Sequence, residues 1–185
     1  MYQYFSNKDE IVWAIVGIVL DELTAQAKSA TDAAGTALSK ITALLDVMAE
    51  ALERHPEKVR LMAQFDAMYA RHWSAERLLT LEAKINPLGF RYFSQLVREG
   101  IADGSLRPDL DPDVTLHAVI NAVVGAQRRL ASLGSRVEAE YGQPVDRLFR
   151  ETIRIIRLGL RAVEDHTVPE KKRFAKAAKK RTKPR

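Results

Sequence analysis

The stretch MYQYFSNKDEI, residues 1–11, sets the reading of the whole chain. Three aromatic residues, Tyr2, Tyr4 and Phe5, stand directly before a helix-start pattern. Ser6 is a good N-cap, and Asp9 three residues later completes a capping-box pattern. The apolar run that follows, residues 11–20, is rich in β-branched residues, as a buried strand would also be. The cap and the continuation through Leu20, Leu23 and Ala27 favour a helix over residues 7–28. On the residues alone, an aromatic cluster before a capped helix is a staple onto a core.

Working outward, the pattern stays helical. Residues 29–35 read as a small-residue linker. Leu38, Ile41, Leu45, Met48 and Leu52, spaced by three and four, predict a helix over residues 36–55. Pro56 ends it and opens the next helix at its first position. That third helix places Leu61, Met62, Phe65, Met68, Tyr69 and His72 on one face. A fourth segment, residues 74–102, contains Pro87, which predicts a break near Asn86. The stretch GIADGSLRPDLDP, residues 100–112, reads as a loop. A fifth helix is expected over residues 112–133 and a sixth over 144–164, joined by a connection with room for one short helical turn. The fold class is all-α, with neither strand alternation nor an internal repeat.

The last two helices have faces beyond what one core needs. In the fifth, Leu116, Val119, Ile120, Val123 and Leu130 gather on one side, while Ala118, Ala122, Gly125 and Ser132 gather on the other. A mid-helix glycine costs about 1 kcal/mol, so Gly125 calls for a close packing partner. In the sixth, Val145, Phe149, Thr152, Ile153, Ile156, Leu160 and Val163 form a stripe that Leu148, Ile155 and Gly159 widen. Arg147, Arg150, Arg154 and Arg161 occupy the opposite side and read as a solvated face. Two such helices from each of two chains make a four-helix homodimer interface, for which Ala118, Ala122, Gly125, Leu148, Thr152, Ile155 and Gly159 are the candidates.

Composition narrows the function. The chain has 185 residues and no cysteine, which excludes disulfides, thiolate metal sites and a cysteine nucleophile. That composition fits a cytoplasmic protein. The ten-residue apolar run at 11–20 is too short to cross a bilayer, so no membrane partner is expected. The net charge of +5 is uneven: residues 170–185 hold nine Lys/Arg and one acid, a net +8, which leaves −3 for residues 1–169. Residues 167–185 are expected to be a disordered basic tail. The four histidines, at 55, 72, 117 and 166, show no metal-ligand spacing. There is neither a phosphate-binding glycine loop nor a GxSxG motif. No catalytic residue, metal or cofactor is expected, and the chain reads as a non-enzyme.

Residues 1–11 resemble a signature of the TetR (tetracycline-repressor-like) family: Leu-Tyr-x-Tyr/His-Phe, two residues, Lys, two residues, Leu. Tyr2, Tyr4, Phe5 and Lys8 match, and Met1 and Ile11 are apolar replacements. The order of the later helices resembles the family more loosely, over residues 1–164. The resemblance implies a TetR-like C-terminal ligand-binding and dimerisation domain over residues 9–166, with residues 1–8 a remnant of the DNA-binding helix-turn-helix. Roughly 35–45 residues of that module are expected to be missing before Met1. Tyr2, Tyr4 and Lys8 would contact DNA phosphates, and Phe5 would pack in the DNA-binding core. A small-molecule effector would sit between the middle helices, in a pocket drawn from Phe65, Met68, Tyr69, Trp73, Tyr92, Phe93, His117, Ile120 and Gln127, with Asn121 one turn beyond His117. Aromatic and methionine side chains suit an adaptable apolar cavity, and Gln127 on an apolar side needs a polar partner. The function implied is a ligand-responsive transcriptional regulator, a repressor, binding operator DNA in its full-length form. The alternative is a helical dimerisation or ligand-binding protein that acts through partner regulators without binding DNA.

Overall fold

The computed structural model describes residues 5, 7–69, 74–85 and 91–163. They form eight helices: α1 Lys8–Asp32, α2 Ala37–Arg54, α3 Pro56–Tyr69, α4 Ala75–Ile85, α5 Arg91–Ala102, α6 Thr115–Leu133, α7 Ser135–Tyr141 and α8 Val145–Leu160. Among the described residues there is no strand, and the one β-bridge joins Leu106 to Arg161.

The sequence signals place most boundaries correctly, and the exceptions have local causes. The cap of α1 is Asn7, whose Oδ1 accepts the Glu10 N–H at 3.0 Å. Ser6, the expected cap, lies outside the described residues. An asparagine in extended conformation does the same capping chemistry one residue later. Residues 29–32, expected to be linker, continue α1 instead. The Thr31 hydroxyl donates to the Ala27 carbonyl at 2.9 Å, and Lys28 pairs with Asp32 one turn on. α2 begins after Thr36, whose hydroxyl oxygen accepts the Ser39 N–H at 3.2 Å. α8 ends at Leu160, so Val163 lies beyond the helix and is 82% exposed, where the sequence pattern had put it in the apolar stripe.

Two apolar clusters hold these helices. The larger joins α2, α5, α6 and α8 through Ile41, Leu45, Val97, Leu116, Val123, Phe149 and Ile153, all buried. The smaller joins α1, α3 and α4 through Val16, Val19, Leu20, Met62, Phe65 and Leu81. Ion pairs tie the same helices at the surface: Arg150 of α8 meets Glu53 of α2, and Lys84 of α4 meets Asp21 of α1.

The stretch expected to be a loop over residues 100–112 starts later, because Gly100 lies inside α5. From there the chain works as a staple. The Asp103 carboxylate accepts the Ala37 N–H at 3.1 Å, and the Ser105 hydroxyl oxygen accepts the Leu38 N–H at 3.2 Å, so two free donors at the start of α2 are satisfied from across the fold. Arg107 donates to the Leu160 carbonyl at 3.0 Å and Ala162 to Ser105 at 3.2 Å, which pins the end of α8. Leu106 is buried between these attachments, against Gly100.

Candidate functional site

α6 and α8 pack against each other and each sends one face into the larger cluster. Their other faces meet solvent. On α6, Ala118, Ala122, Gly125 and Ser132 are all exposed, and so is Arg129 at the same helical angle. On α8, Ile155 is 59% exposed, Leu158 is 56% exposed and Gly159 is open. Leu148 and Thr152 are half-buried at the edge of this face, and the Thr152 hydroxyl is turned back onto the Leu148 carbonyl at 3.0 Å. A Cβ added at Gly125 or at Gly159 would meet nothing within 4 Å. All seven residues expected at an interface thus lie on exposed or half-exposed positions of two neighbouring helices.

The expected pocket residues divide into two groups. Tyr92 and Phe93 of α5 and His117 of α6 form a chain of rings: Tyr92 to Phe93 at 5.8 Å, then Phe93 to His117 at 5.8 Å and 90°. Partial burial raises the Tyr92 pKa above its usual value, and the nearby Glu99 and Asp32 carboxylates reinforce the shift. Ile120 packs against the larger cluster. Gln127 is buried, and its Nε2 donates to the Met48 carbonyl of α2 at 2.6 Å, which supplies the polar partner an amide on that face requires. Asn121 is exposed and donates to the His117 carbonyl at 2.8 Å.

Phe65, by contrast, is fully buried in the smaller cluster, in a T-shaped contact with Trp13 at 4.7 Å. Met68 is 60% exposed and faces solvent. Trp73 and the Tyr69 side chain lie outside the described residues. An ion pair that the sequence reading missed, Arg128 with Asp66, links α6 to α3, and desolvation lowers the Arg128 pKa. Asp66 and Arg128 are far apart in sequence and each reads as an ordinary surface charge, so no local pattern marks the pair.

A cleft of about 520 Å³ opens elsewhere, between the starts of α1 and α4. Phe5, Glu10, Trp13, Glu76 and Arg77 are among its walls, and the Arg77 guanidinium lies 5.2 Å from the Trp13 ring centroid. Phe5, which the resemblance placed in a DNA-binding core, is half-buried here. Lys8 is the exposed first residue of α1. Tyr2 and Tyr4 lie outside the described residues, as does the basic tail.

The architecture matches solved regulators. A TetR/AcrR-family transcriptional regulator from Thermobifida fusca superposes with a TM-score of 0.61 at 22% identity, over 85% of this chain and 77% of that one. The fold is TetR-type. The ketosteroid transcriptional regulator KstR2 of Mycobacterium tuberculosis has the same TetR-type arrangement, with a TM-score of 0.58 at 23% identity over 86% of this chain and 76% of its own. In sequence, the chain is 30% identical over 124 residues to the HTH-type transcriptional repressor KstR2 of Mycolicibacterium smegmatis, across 62% of this chain and 54% of the relative. The chain therefore spans about half the length of the curated relatives it matches. No protein-family model matches it. Each of these relatives is a transcriptional regulator. No helix among the described residues is long and apolar enough to cross a membrane.

Proposed function

We propose that this chain is the effector-binding and dimerisation part of a TetR-type transcriptional repressor. The observation that carries the reading is the outward face of α6 and α8, where small and apolar residues lie open on helices whose other sides are already in the core. In this reading two copies pair through Ala118, Ala122 and Gly125 of α6 with Leu148, Thr152, Ile155 and Gly159 of α8. The pairing fixes the distance between two DNA-binding modules and so the half-site spacing.

The effector is a largely apolar small molecule. It contacts the Tyr92–Phe93–His117 rings, with Ile120 beside them and Gln127 holding α6 to α2. Phe65, sealed in the smaller cluster, and Met68, exposed to solvent, lie apart from these rings. A ligand that spreads α5 from α2 shifts α2 against α1, on which it packs, and α1 carries the motion to the DNA end. There Lys8, with Tyr2 and Tyr4, contacts phosphate. The sequence similarity to an HTH-type transcriptional repressor supports this assignment.

The test is DNA retardation by the protein isolated from its source cell, using the fragment beside its own gene. Retardation is expected. The Lys8→Ala variant is expected to weaken binding to all sequences alike and to reduce the salt slope by about one phosphate contact. A protein that retards no fragment in any effector state contradicts the repressor reading and leaves pairing with other regulators as the remaining role.

A further inference from the structure

The segment that follows α5 grips three helices. Its Asp103 carboxylate and Ser105 hydroxyl oxygen accept the first two N–H groups of α2, from Ala37 at 3.1 Å and from Leu38 at 3.2 Å. At its other end the Arg107 N–H donates to the Leu160 carbonyl at 3.0 Å, and the Ser105 carbonyl accepts the Ala162 N–H at 3.2 Å. Between these ends Leu106 is buried, donates its N–H to the Gly100 carbonyl of α5 at 2.9 Å and bridges to Arg161.

Both ends of the segment are braced from within. Asp103 uses one oxygen for Ala37 and the other to accept the Ser105 N–H at 2.8 Å, so one carboxylate sets the turn and the start of α2 together. Asp109 holds the Arg107 guanidinium through both carboxylate oxygens, and the remaining Nη1 reaches the Gly159 carbonyl at 3.4 Å. Close-packed elements of this kind pass displacement on rather than absorb it.

The α8 end of this grip coincides with the outward face. Ile155, Leu158 and Gly159 are exposed on the last turns of α8, and the carbonyls that Arg107 takes belong to Gly159 and Leu160. The last carbonyls of a helix have no partner within it, so their position is set from outside. A copy seated on Ile155 to Gly159 bears on the turn that the segment holds.

From this arrangement we infer that residues 103–107 couple pairing through α8 to the start of α2, with Asp103 as the positioning residue. The coupling rests on the dimer reading above. Pairing fixes Gly159 and Leu160, and the segment then holds Ala37 and Leu38. α2 packs along α1, so pairing helps to set the seat of α1. Linkage is reciprocal: a change that frees the start of α2 weakens the dimer by the factor through which pairing holds it.

The test is sedimentation equilibrium of the full chain with two caps removed in turn. Asp103→Ala removes the acceptor that the segment supplies to Ala37. Thr36→Ala removes the acceptor that the α2 N-cap itself supplies to Ser39 at 3.2 Å. Each takes a capping bond of similar worth from the same helix start, and neither residue is on α6 or α8. Asp103→Ala should raise the dimer dissociation constant about two- to fivefold, the scale of one capping bond passed on by linkage, and Thr36→Ala should leave it unchanged. Ser105→Ala, which removes the Leu38 acceptor, should act in the direction of Asp103→Ala and serves if that variant fails to fold. In the wild type, hydrogen exchange at the Ala37 and Leu38 amides should be slower in the dimer than in the Gly125→Leu, Ile155→Glu chain. Equal effects of Asp103→Ala and Thr36→Ala, or an unchanged dissociation constant in both Asp103→Ala and Ser105→Ala, overturn the coupling and leave the dimer standing. A wild type that stays at the mass of one chain contradicts the dimer face and the coupling together.

Discussion

Gly100 and Gly125 are both helical glycines, and the structure treats them in opposite ways. A Cβ at Gly100 would lie 2.4 Å from a Leu106 methyl and 3.0 Å from the Ala37 Cβ, so the fold itself requires glycine there. A Cβ at Gly125 would meet nothing within 4 Å. The same contrast separates the two sides of α6: Leu116, Val123 and Leu130 are sealed in the core, and Ala118 and Ala122 are open. A mid-helix glycine costs about 1 kcal/mol relative to alanine. At Gly100 the close approach of Leu106 accounts for it. At Gly125 nothing among the described residues does, and in the proposed dimer a second copy of the same helix would be its partner.

Substitutions on the two sides should separate accordingly. The largest loss is expected on the core side of α8. Phe149 is fully buried, and Phe149→Ala should destabilise the chain by about 3–5 kcal/mol in chemical denaturation. Gly100→Ala should cost about 1–3 kcal/mol by overpacking against Leu106; a loss near zero would show that the loop yields and that the two glycines differ less than the distances say.

Asp103→Ala should cost about 1 kcal/mol, the usual worth of a capping carboxylate, because it removes the acceptor for the Ala37 N–H. This contribution has a defined pH dependence. Hydrogen bonds from Ser105 and from the Ala37 backbone hold the Asp103 pKa below its ordinary 3.8. A carboxylate with a lowered folded pKa stabilises fully above its unfolded value and loses that contribution as pH falls through the folded one. The gap between the wild type and Asp103→Ala should therefore be constant at neutral pH and close below about pH 4. A gap that persists at pH 2 would mean the carboxylate is not the stapling group. The smallest effect on the stability of a single copy is expected at Gly125→Leu, which has open space and gains up to about 1 kcal/mol of helix propensity.

Much of the fold was legible in the residues. The three-and-four spacing of Leu38, Ile41, Leu45 and Leu52 and the proline at 56 place α2 and the start of α3 within a residue. What pattern could not show is where one segment serves another. Asp103 and Ser105 read as loop residues, and their role as acceptors for α2 depends on contacts 66 and 67 positions away. Gly100 reads as loop punctuation because its partner, Leu106, touches it only once the chain has turned back. The candidate site was legible to the extent that it lies on one helix face: the α6 and α8 stripes follow from helical periodicity. The ligand region was less so. Phe65 shares a face with Met68 by spacing, yet one is buried against Trp13 and the other is exposed, because α1 covers just part of that face. The cleft between Trp13 and Arg77 joins residues 64 positions apart and leaves no periodic trace.

The account rests most directly on the outward face of α6 and α8, and the mass of the chain in solution tests it. Sedimentation equilibrium should give twice the 20.8 kDa of one chain, and Gly125→Leu combined with Ile155→Glu should return the mass to that of a single folded copy. A wild-type chain that sediments at 20.8 kDa across micromolar concentrations would contradict the dimer face and the repressor architecture built on it.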